Sequence, residues 1–419
     1  MKILIPRLPA LLVLTFSLLS FNALAQSSFP EEEQAFQQWL TEFKQQARQA
    51  GISEQTINQA FKGVRLRQKV LESDRKQPEF TRTFYQYFNS AVSKNRVEVG
   101  KQKYRKHQAL LNEVTQKYGV PSHIITSFWG METNYGRFTG NLPIIASLAT
   151  LAYDPRRTTF FSKQLMAALT IIDQGHVQIE QMKGSWAGAM GQVQFMPTNY
   201  LKYAVDGDGD GKINLWDSLP DAFHSAGSFL QHLGWNSEQT WGEEISLPKG
   251  FNYALADNKT KRSIKAWQAL GITQTNGQPL TTNPEQSAKL ILPSDHRGPA
   301  FLVYDNFQVI KRWNNSNNYA LAVGHLSNRI LGNPPLSKKQ PKDDKGMSRE
   351  QMQQLQSALN QLGYNAGKPD GIAGSKTRKA LRAFQVTHNL PADGAPSYRM
   401  LQLLNKAVKQ RQHTLNEFI

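Results

Sequence analysis

His123–Arg137, HIITSFWGMETNYGR, carries one carboxylate, Glu132, on a helical run whose preceding turn holds Phe128 and Trp129. Residues three and four apart share a helix face, so both rings are expected to lie against the Glu132 side chain and keep water from it. Burial disfavours the ionised form, and a helix ending near Gly136 brings the negative end of its dipole to the same place. A carboxyl that stays protonated near neutral pH suits general-acid chemistry. A glutamate on an ordinary solvated face has the same spacing, so the run alone leaves both readings open.

Ser185–Pro197, SWAGAMGQVQFMP, is too rich in small residues for an ordinary packing helix. Gly188, Ala189 and Gly191 let a ligand approach the backbone closely, while Ser185, Gln192 and Gln194 supply neutral hydrogen-bonding groups. Sugars need that combination. Close packing accounts for the glycines but not for two glutamines beside them.

Asp206–Asp217, DGDGDGKINLWD, follows the EF-hand plan. Asp206, Asp208 and Asp210 fill positions 1, 3 and 5, Gly211 position 6, the Lys212 carbonyl position 7, and Asp217 position 12. Four carboxylates this close repel one another unless a cation sits among them, which points to a structural Ca2+. Asp217 is one methylene shorter than the usual glutamate, which weakens bidentate closure. A solvated acidic loop is the alternative.

These motifs, with YDPRR at Tyr153–Arg157, resemble the lytic murein transglycosylases of the B type, which have a lysozyme-like core. The resemblance runs in order from about Phe80 to about Leu331. It implies that Glu132 is the catalytic acid, that Ser185 and Gln194 contact the N-acetylated sugar, and that Tyr87 lines the cleft. It also implies that Arg156 and Arg157 face substrate carboxylates, for which a guanidinium is suited. Trp313 and Asn314 match a cleft-lining Tyr-Asn pair, with Tyr319 following; Trp313 can stack on a sugar but donates no hydroxyl. Gln192 and Val193 stand where some relatives carry an aromatic and a glycine. Core packing is the competing account of the aromatic run Phe84–Phe88, and a surface turn that of YDPRR.

Residues 1–25 have the basic, apolar and small-residue plan of a secretory signal, with Leu8–Leu19 short for a spanning helix and Ala23-Leu24-Ala25 favouring removal. The chain has no cysteine, so neither a disulfide nor an N-terminal lipidated cysteine is available. A soluble periplasmic protein, without a membrane anchor after cleavage, is expected. The net charge of +17 falls to +15 once Lys2 and Arg7 leave. Scattered basic residues without a nucleic-acid motif argue against DNA or RNA; peptidoglycan glycan strands, with carboxylates on their stems, are the expected partner. Other cell-wall enzymes are further candidate partners, and a monomer is expected.

The expected fold is mainly α (α+β): helices from Glu31, a lysozyme-like core at about 80–235, a strand-containing region at about 242–311, and a return to helix before Leu331. Residues 332–347 read as a linker by composition. Residues 348–410 resemble a small three-helix peptidoglycan-binding module with Asp-Gly turns at Asp370-Gly371 and Asp393-Gly394. The resemblance implies cleavage of the bond between N-acetylmuramic acid and N-acetylglucosamine without water, giving 1,6-anhydro ends, and no cofactor for the chemistry. A hydrolase, for which Asp154 or Asp173 could serve as second carboxylate, and a catalytically silent wall binder are the alternatives.

Overall fold

The computed structural model describes residues 21–75, 82–257 and 259–417. The proposed signal lies outside them except for residues 21–25, which open the first helix. Helices α1 (Phe21–Gln49), α2 (Glu54–Ala60) and α3 (Gln68–Arg75) come first. Phe36, Leu40 and Phe43 are buried at helical spacing, and Ser53 caps α2 by accepting from the Thr56 amide at 3.2 Å.

The helical core follows: α4 (Phe84–Ala91), α5 (Lys94–Lys106), α6 (Gln108–Tyr118) and α7 (Ser122–Thr133), then β1 (Leu142–Pro143), α8 (Ile144–Tyr153) and α9 (Thr158–Asp173). β2 (Lys183–Gly184) pairs with β1 before α10 (Pro197–Tyr203) and α11 (Leu219–His232). The helical sequence pattern that runs from Lys103 to Tyr118 is divided at His107. That residue leaves helical geometry, and its ring packs edge-on against Trp129 and Phe223, so tertiary packing overrides a continuous helical pattern.

Strands β3 (Gly242–Ser246), β4 (Lys261–Ser263), β5 (Thr273–Gln274), β6 (Ser287–Ile291) and β7 (Ala300–Val303), with α12 (Ile264–Ala269) between β4 and β5, form one antiparallel sheet in the order β4-β6-β7-β3-β5. Alternation along β7 fixes the sheet to the core. Ala300 and Leu302 face a small cluster around Trp267, whereas Phe301 and Val303 enter the main helical core. The segment after β7, expected to continue as strand, turns into helix α13 (Asp305–Trp313), with Asn306, Phe307, Val309 and Ile310 buried at helical spacing. α14 (Asn317–Ile330) then crosses α7.

The last three helices, α15 (Arg349–Gln361), α16 (Ser375–Thr387) and α17 (Tyr398–Glu417), enclose their own core of Leu355, Leu359, Leu381, Phe384, Leu401 and Leu404. The two Asp-Gly turns share one device. Gln356 donates to Asp370 at 3.0 Å and accepts from Gly371 at 2.9 Å; Gln385 donates to Asp393 at 2.7 Å and accepts from Gly394 at 2.8 Å.

Residues 332–347 are strapped to the core. Glu244 accepts from the Ser337 amide and hydroxyl, the closest at 2.7 Å, Tyr85 donates to the Lys338 and Lys339 carbonyls, and Arg297 grips both Asp343 oxygens at 2.8 and 2.9 Å. His296 then meets Asp393 through its amide and Nδ1, at 2.9 and 2.7 Å, and Arg382 donates to the Ala256 carbonyl at 2.8 Å.

Candidate active site

α7 is buried along most of its length and ends one residue after Glu132, with Asn134 and Tyr135 in left-handed geometry at φ 52° and 62°. The helix therefore stops earlier than Gly136, and Glu132 sits, half-buried, in its last turn. Tyr135 folds back so closely that a Cβ on Gly130 would lie 2.6 Å from its ring. Its hydroxyl donates to the Arg96 carbonyl at 2.8 Å.

Tyr319, buried in the first turn of α14, donates its hydroxyl to Glu132 Oε1. Burial, then the Glu132 carboxylate, pushes the phenol well above its ordinary pKa, so it remains a donor. Ser127 locks the two helices together by donating to the Val323 carbonyl at 2.6 Å. Tyr87 lies close enough to Tyr319 to push its pKa the same way. Phe128 packs behind, its ring centroid 6.2 Å from Tyr319 and 4.5 Å from Trp313. Trp313 is half-buried, with Phe195 and Phe229 on it as well, and Asn314 follows at the end of α13.

The expectation for Trp129 needs correction. Its ring is packed with His107, Tyr135 and Phe223, and its Nε1 donates to Gln192 at 2.8 Å. Tyr319, rather than Trp129, meets the carboxylate.

The Ser185–Pro197 loop is pinned beside the acid, because Thr133 donates from Oγ1 to the Gln192 carbonyl at 2.8 Å. The Gln192 amide bridges Trp129 and the Trp216 carbonyl, so it builds the wall instead of offering groups to a ligand. The glycines also serve packing: a Cβ on Gly188 would meet Leu148 at 2.4 Å, and one on Gly191 the Leu215 carbonyl at 2.3 Å. Ser185 and Gln194 are half-buried; Ser185 Oγ accepts from the Ala189 amide, and Gln194 donates to the Thr139 and Gly191 carbonyls.

Arg156 and Arg157 lie at the start of α9, where Asp154 and Asp74 already match their charge, with Arg156 to Asp74 at 2.6 Å. The Arg156 guanidinium holds the Asp154 carboxyl below the usual carboxylate range. Asp173 is likewise held low, by the Ser53 and Thr56 hydroxyls. Both acids raised as second carboxylates are thus committed to structural bonds.

Carboxylate oxygens of Asp206, Asp208 and Asp210 converge to within 4.8 Å of one another. Asp206 accepts from the Gly209 and Gly211 amides at 2.6 and 2.8 Å, and the Lys212 amide donates to Asp210 at 2.8 Å. Hard oxygen donors in this arrangement fit calcium. Asp217 does not join the three; its nearest side-chain partner is Asn214, at 3.4 Å. Asp221, not anticipated, closes the loop instead, accepting from Gly207 at 2.7 Å and Asn214 at 2.6 Å. Its signal was present as Ser218-x-x-Asp221, a helix-capping pattern.

Two family models match the chain: the transglycosylase SLT domain over residues 35–328 and a peptidoglycan binding domain over residues 348–404. The membrane-bound lytic murein transglycosylase B of Escherichia coli (strain K12) is 37% identical over 250 residues, 58% of this chain and 66%, just under two thirds, of that relative. The structure of SltB3 from Pseudomonas aeruginosa in complex with NAG-anhNAM-pentapeptide is 45% identical, covers 88% of this chain and 99% of that one, and superposes with a TM-score of 0.85. The Escherichia coli lytic transglycosylase SLT35 in complex with calcium is 32% identical, over 70% of this chain and 92% of that one, with a TM-score of 0.59. A match over most of its length, with the motifs around Glu132 in place, makes the chain a member of the transglycosylase SLT domain family.

Proposed function

We propose that the protein is a peptidoglycan lytic transglycosylase that breaks the bond between N-acetylmuramic acid and N-acetylglucosamine without consuming water. The observation that carries this reading is Glu132 in the last turn of α7, held by the Tyr319 hydroxyl. The protonated carboxyl gives its proton to the glycosidic oxygen, leaving an oxocarbenium-like centre. The carboxylate so formed then accepts the proton of the C6 hydroxyl of the same muramoyl residue, which closes the 1,6-anhydro ring. One group in two successive roles suffices. A hydrolase ordinarily needs a second carboxylate to activate or replace water, and Asp154 and Asp173 are both engaged elsewhere.

Around the acid, Tyr87, Trp313, Asn314 and Tyr319 form one cleft wall, Ser185 and Gln194 the facing one, and Arg156 and Arg157 the periphery for substrate carboxylates. Asp206, Asp208 and Asp210, with the Lys212 carbonyl, hold a calcium ion that braces the loop and takes no part in the reaction, and Asp217 stays outside that set. Residues 26–331 form the catalytic domain, 332–347 the connection and 348–410 the wall-binding module. Residues 1–25 direct export to the periplasm; no helix among the described residues is long and apolar enough to cross a membrane. Mass spectrometry of digested sacculi tests the assignment: 1,6-anhydromuramoyl ends are expected, and reducing muramic ends in their place would show a hydrolase.

A further inference from the structure

We infer that the open cavity formed where the C-terminal helices meet the helical core is a carboxylate receptor, and that its ligand is the free carboxylate of a peptidoglycan stem peptide. This rests on the transglycosylase reading. The cavity measures about 200 Å3 and draws its walls from four parts of the chain: Arg82 and Asn318 from the core, Asp295 from the segment between β6 and β7, Asp344 and Lys345 from the strap, and Arg349 and Arg378 from the last helices. The docking bonds of His296 to Asp393 and of Arg297 to Asp343 hold those walls together.

The lining charge is uneven. Arg378 is half-buried, and its guanidinium makes no hydrogen bond or ion pair with any described residue; Arg82 and Lys345 are likewise unpaired among the described residues. Arg349 reaches only a carbonyl, that of Asp370, at 3.1 Å. On the acidic side, Asp295 is already neutralised by Arg297, at 3.0 Å through Nε, and burial pushes the Asp344 carboxyl up, towards its neutral form. Even a half-buried cation ordinarily has a partner. Burial, with Arg382 adding to it and the Asp393 carboxylate only partly offsetting it, lowers the Arg378 pKa, a cost that a bound anion would relieve.

Guanidinium geometry selects a carboxylate, which it grips through two parallel bonds. Size selects the end of a peptide: roughly 300 Å3 is the lower end for sites that take drug-sized ligands, so this space suits an amino-acid terminus better than a disaccharide. Position selects the stem. Asn318, in the cavity wall, directly precedes Tyr319, the partner of Glu132. An extended peptide covers about 3.3–3.6 Å per residue, so a four-residue stem on a muramoyl unit seated near the acid extends roughly 13–14 Å towards that wall.

The test is calorimetric titration of the full-length protein with a free stem tetrapeptide, the same peptide amidated at its C-terminal carboxyl, and acetate. The tetrapeptide is expected to bind, the amidated form at least about tenfold more weakly, as loss of a charge-assisted pair implies, and acetate far more weakly than either. Arg378→Gln should weaken the tetrapeptide by a similar factor, and Arg82→Gln, at an exposed site that leaves folding intact, by a smaller one. Equal binding of both peptides, or no effect of either variant, overturns the assignment, and acetate binding as tightly as the peptide reduces the cavity to a general anion site. Anhydro-product formation is scored separately on sacculi, so loss of the transglycosylase reading is seen there and not in the titration.

Discussion

The Tyr319 hydroxyl donates to Glu132 Oε1 across 187 residues of sequence, and this bond ties the first turn of α14 to the last turn of α7. Burial and the adjacent carboxylate hold the phenol in its protonated form, so it donates at any working pH. Glu132→Gln keeps the shape of the side chain and removes the transferable proton. Anhydromuropeptide release should fall by about 10²–10⁴, the usual contribution of a positioned acid or base, with an unchanged melting temperature. Product release at the parental rate would remove Glu132 from its assigned role.

Tyr319→Phe separates positioning from acid chemistry. Glu132 and the ring packing against Phe128 remain, but the carboxylate loses the donor that fixes its orientation. A kcat lower by about tenfold, roughly 1.4 kcal/mol in the barrier, with little change in KM, is the expected kinetic signature. A rise in KM alone would make Tyr319 a sugar contact instead.

Gly130 is required by the approach of Tyr135. A Cβ there would lie 2.6 Å from the Tyr135 ring, whose backbone is already in left-handed geometry. Gly130→Ala should destabilise the protein by about 1–3 kcal/mol through overpacking, read as a lower denaturant midpoint, and should reduce activity because the displaced ring shifts the turn that carries Glu132. A variant with parental stability and rate would mean that the Tyr135 ring has room to move.

Local spacing made some of this legible and not the rest. Glu132 and the loop from Asp206 to Asp210 are patterns of a few residues, and helices such as α1 and α14 follow from apolar periodicity. Phe128 and Trp129 stand four and three residues before Glu132, a difference that periodicity cannot use; only Gln192 and Phe223, distant in sequence, decide that Trp129 faces elsewhere. The same holds for Gln192, whose amide is consumed by two backbone-distant partners. The passage from β7 to α13 was obscured because Phe307, Val309 and Ile310 are β-favouring residue types, although Asp305-Asn306 interrupts the run and the buried positions switch to helical spacing. The strap was legible as a linker by composition, but its anchors, Glu244 and Arg297, belong to other elements.

Two histidines give stability a defined pH dependence. Burial pulls His325 down to about 4, aided by Arg329, and pulls His123 down to about 4 as well. Both titrate near 6.5 in an unfolded chain. Between those values the unfolded state binds more protons, so stability rises with pH across the window. It is fully present above about 6.5 and is lost as pH falls towards 4, by on the order of 1–3 kcal/mol for each histidine. Burial lowers His107 and His224 in the same direction, so His325→Gln should reduce the dependence in melting curves taken from pH 7 to 4.5 without abolishing it; an unaltered slope would mean that His325 does not supply any of it.

Calcium should stabilise without catalysing. The Gly211 amide, first among several, holds the Asp206 carboxyl below its ordinary range, so the loop meets a cation already ionised. Since an ion that binds only the folded state stabilises in proportion to its saturation, about 2.7 kcal/mol at a hundred times the dissociation constant, calcium should raise the melting temperature and a chelator should reverse the rise. Magnesium, which gives up its water reluctantly, should do less. Asp208→Asn should blunt the calcium shift, whereas at a temperature where the metal-free protein stays folded the rate on sacculi should be the same with and without calcium. A calcium shift of full size in Asp208→Asn would place the ion elsewhere, and a rate that falls with chelation while the fold persists would give the metal a part in the reaction.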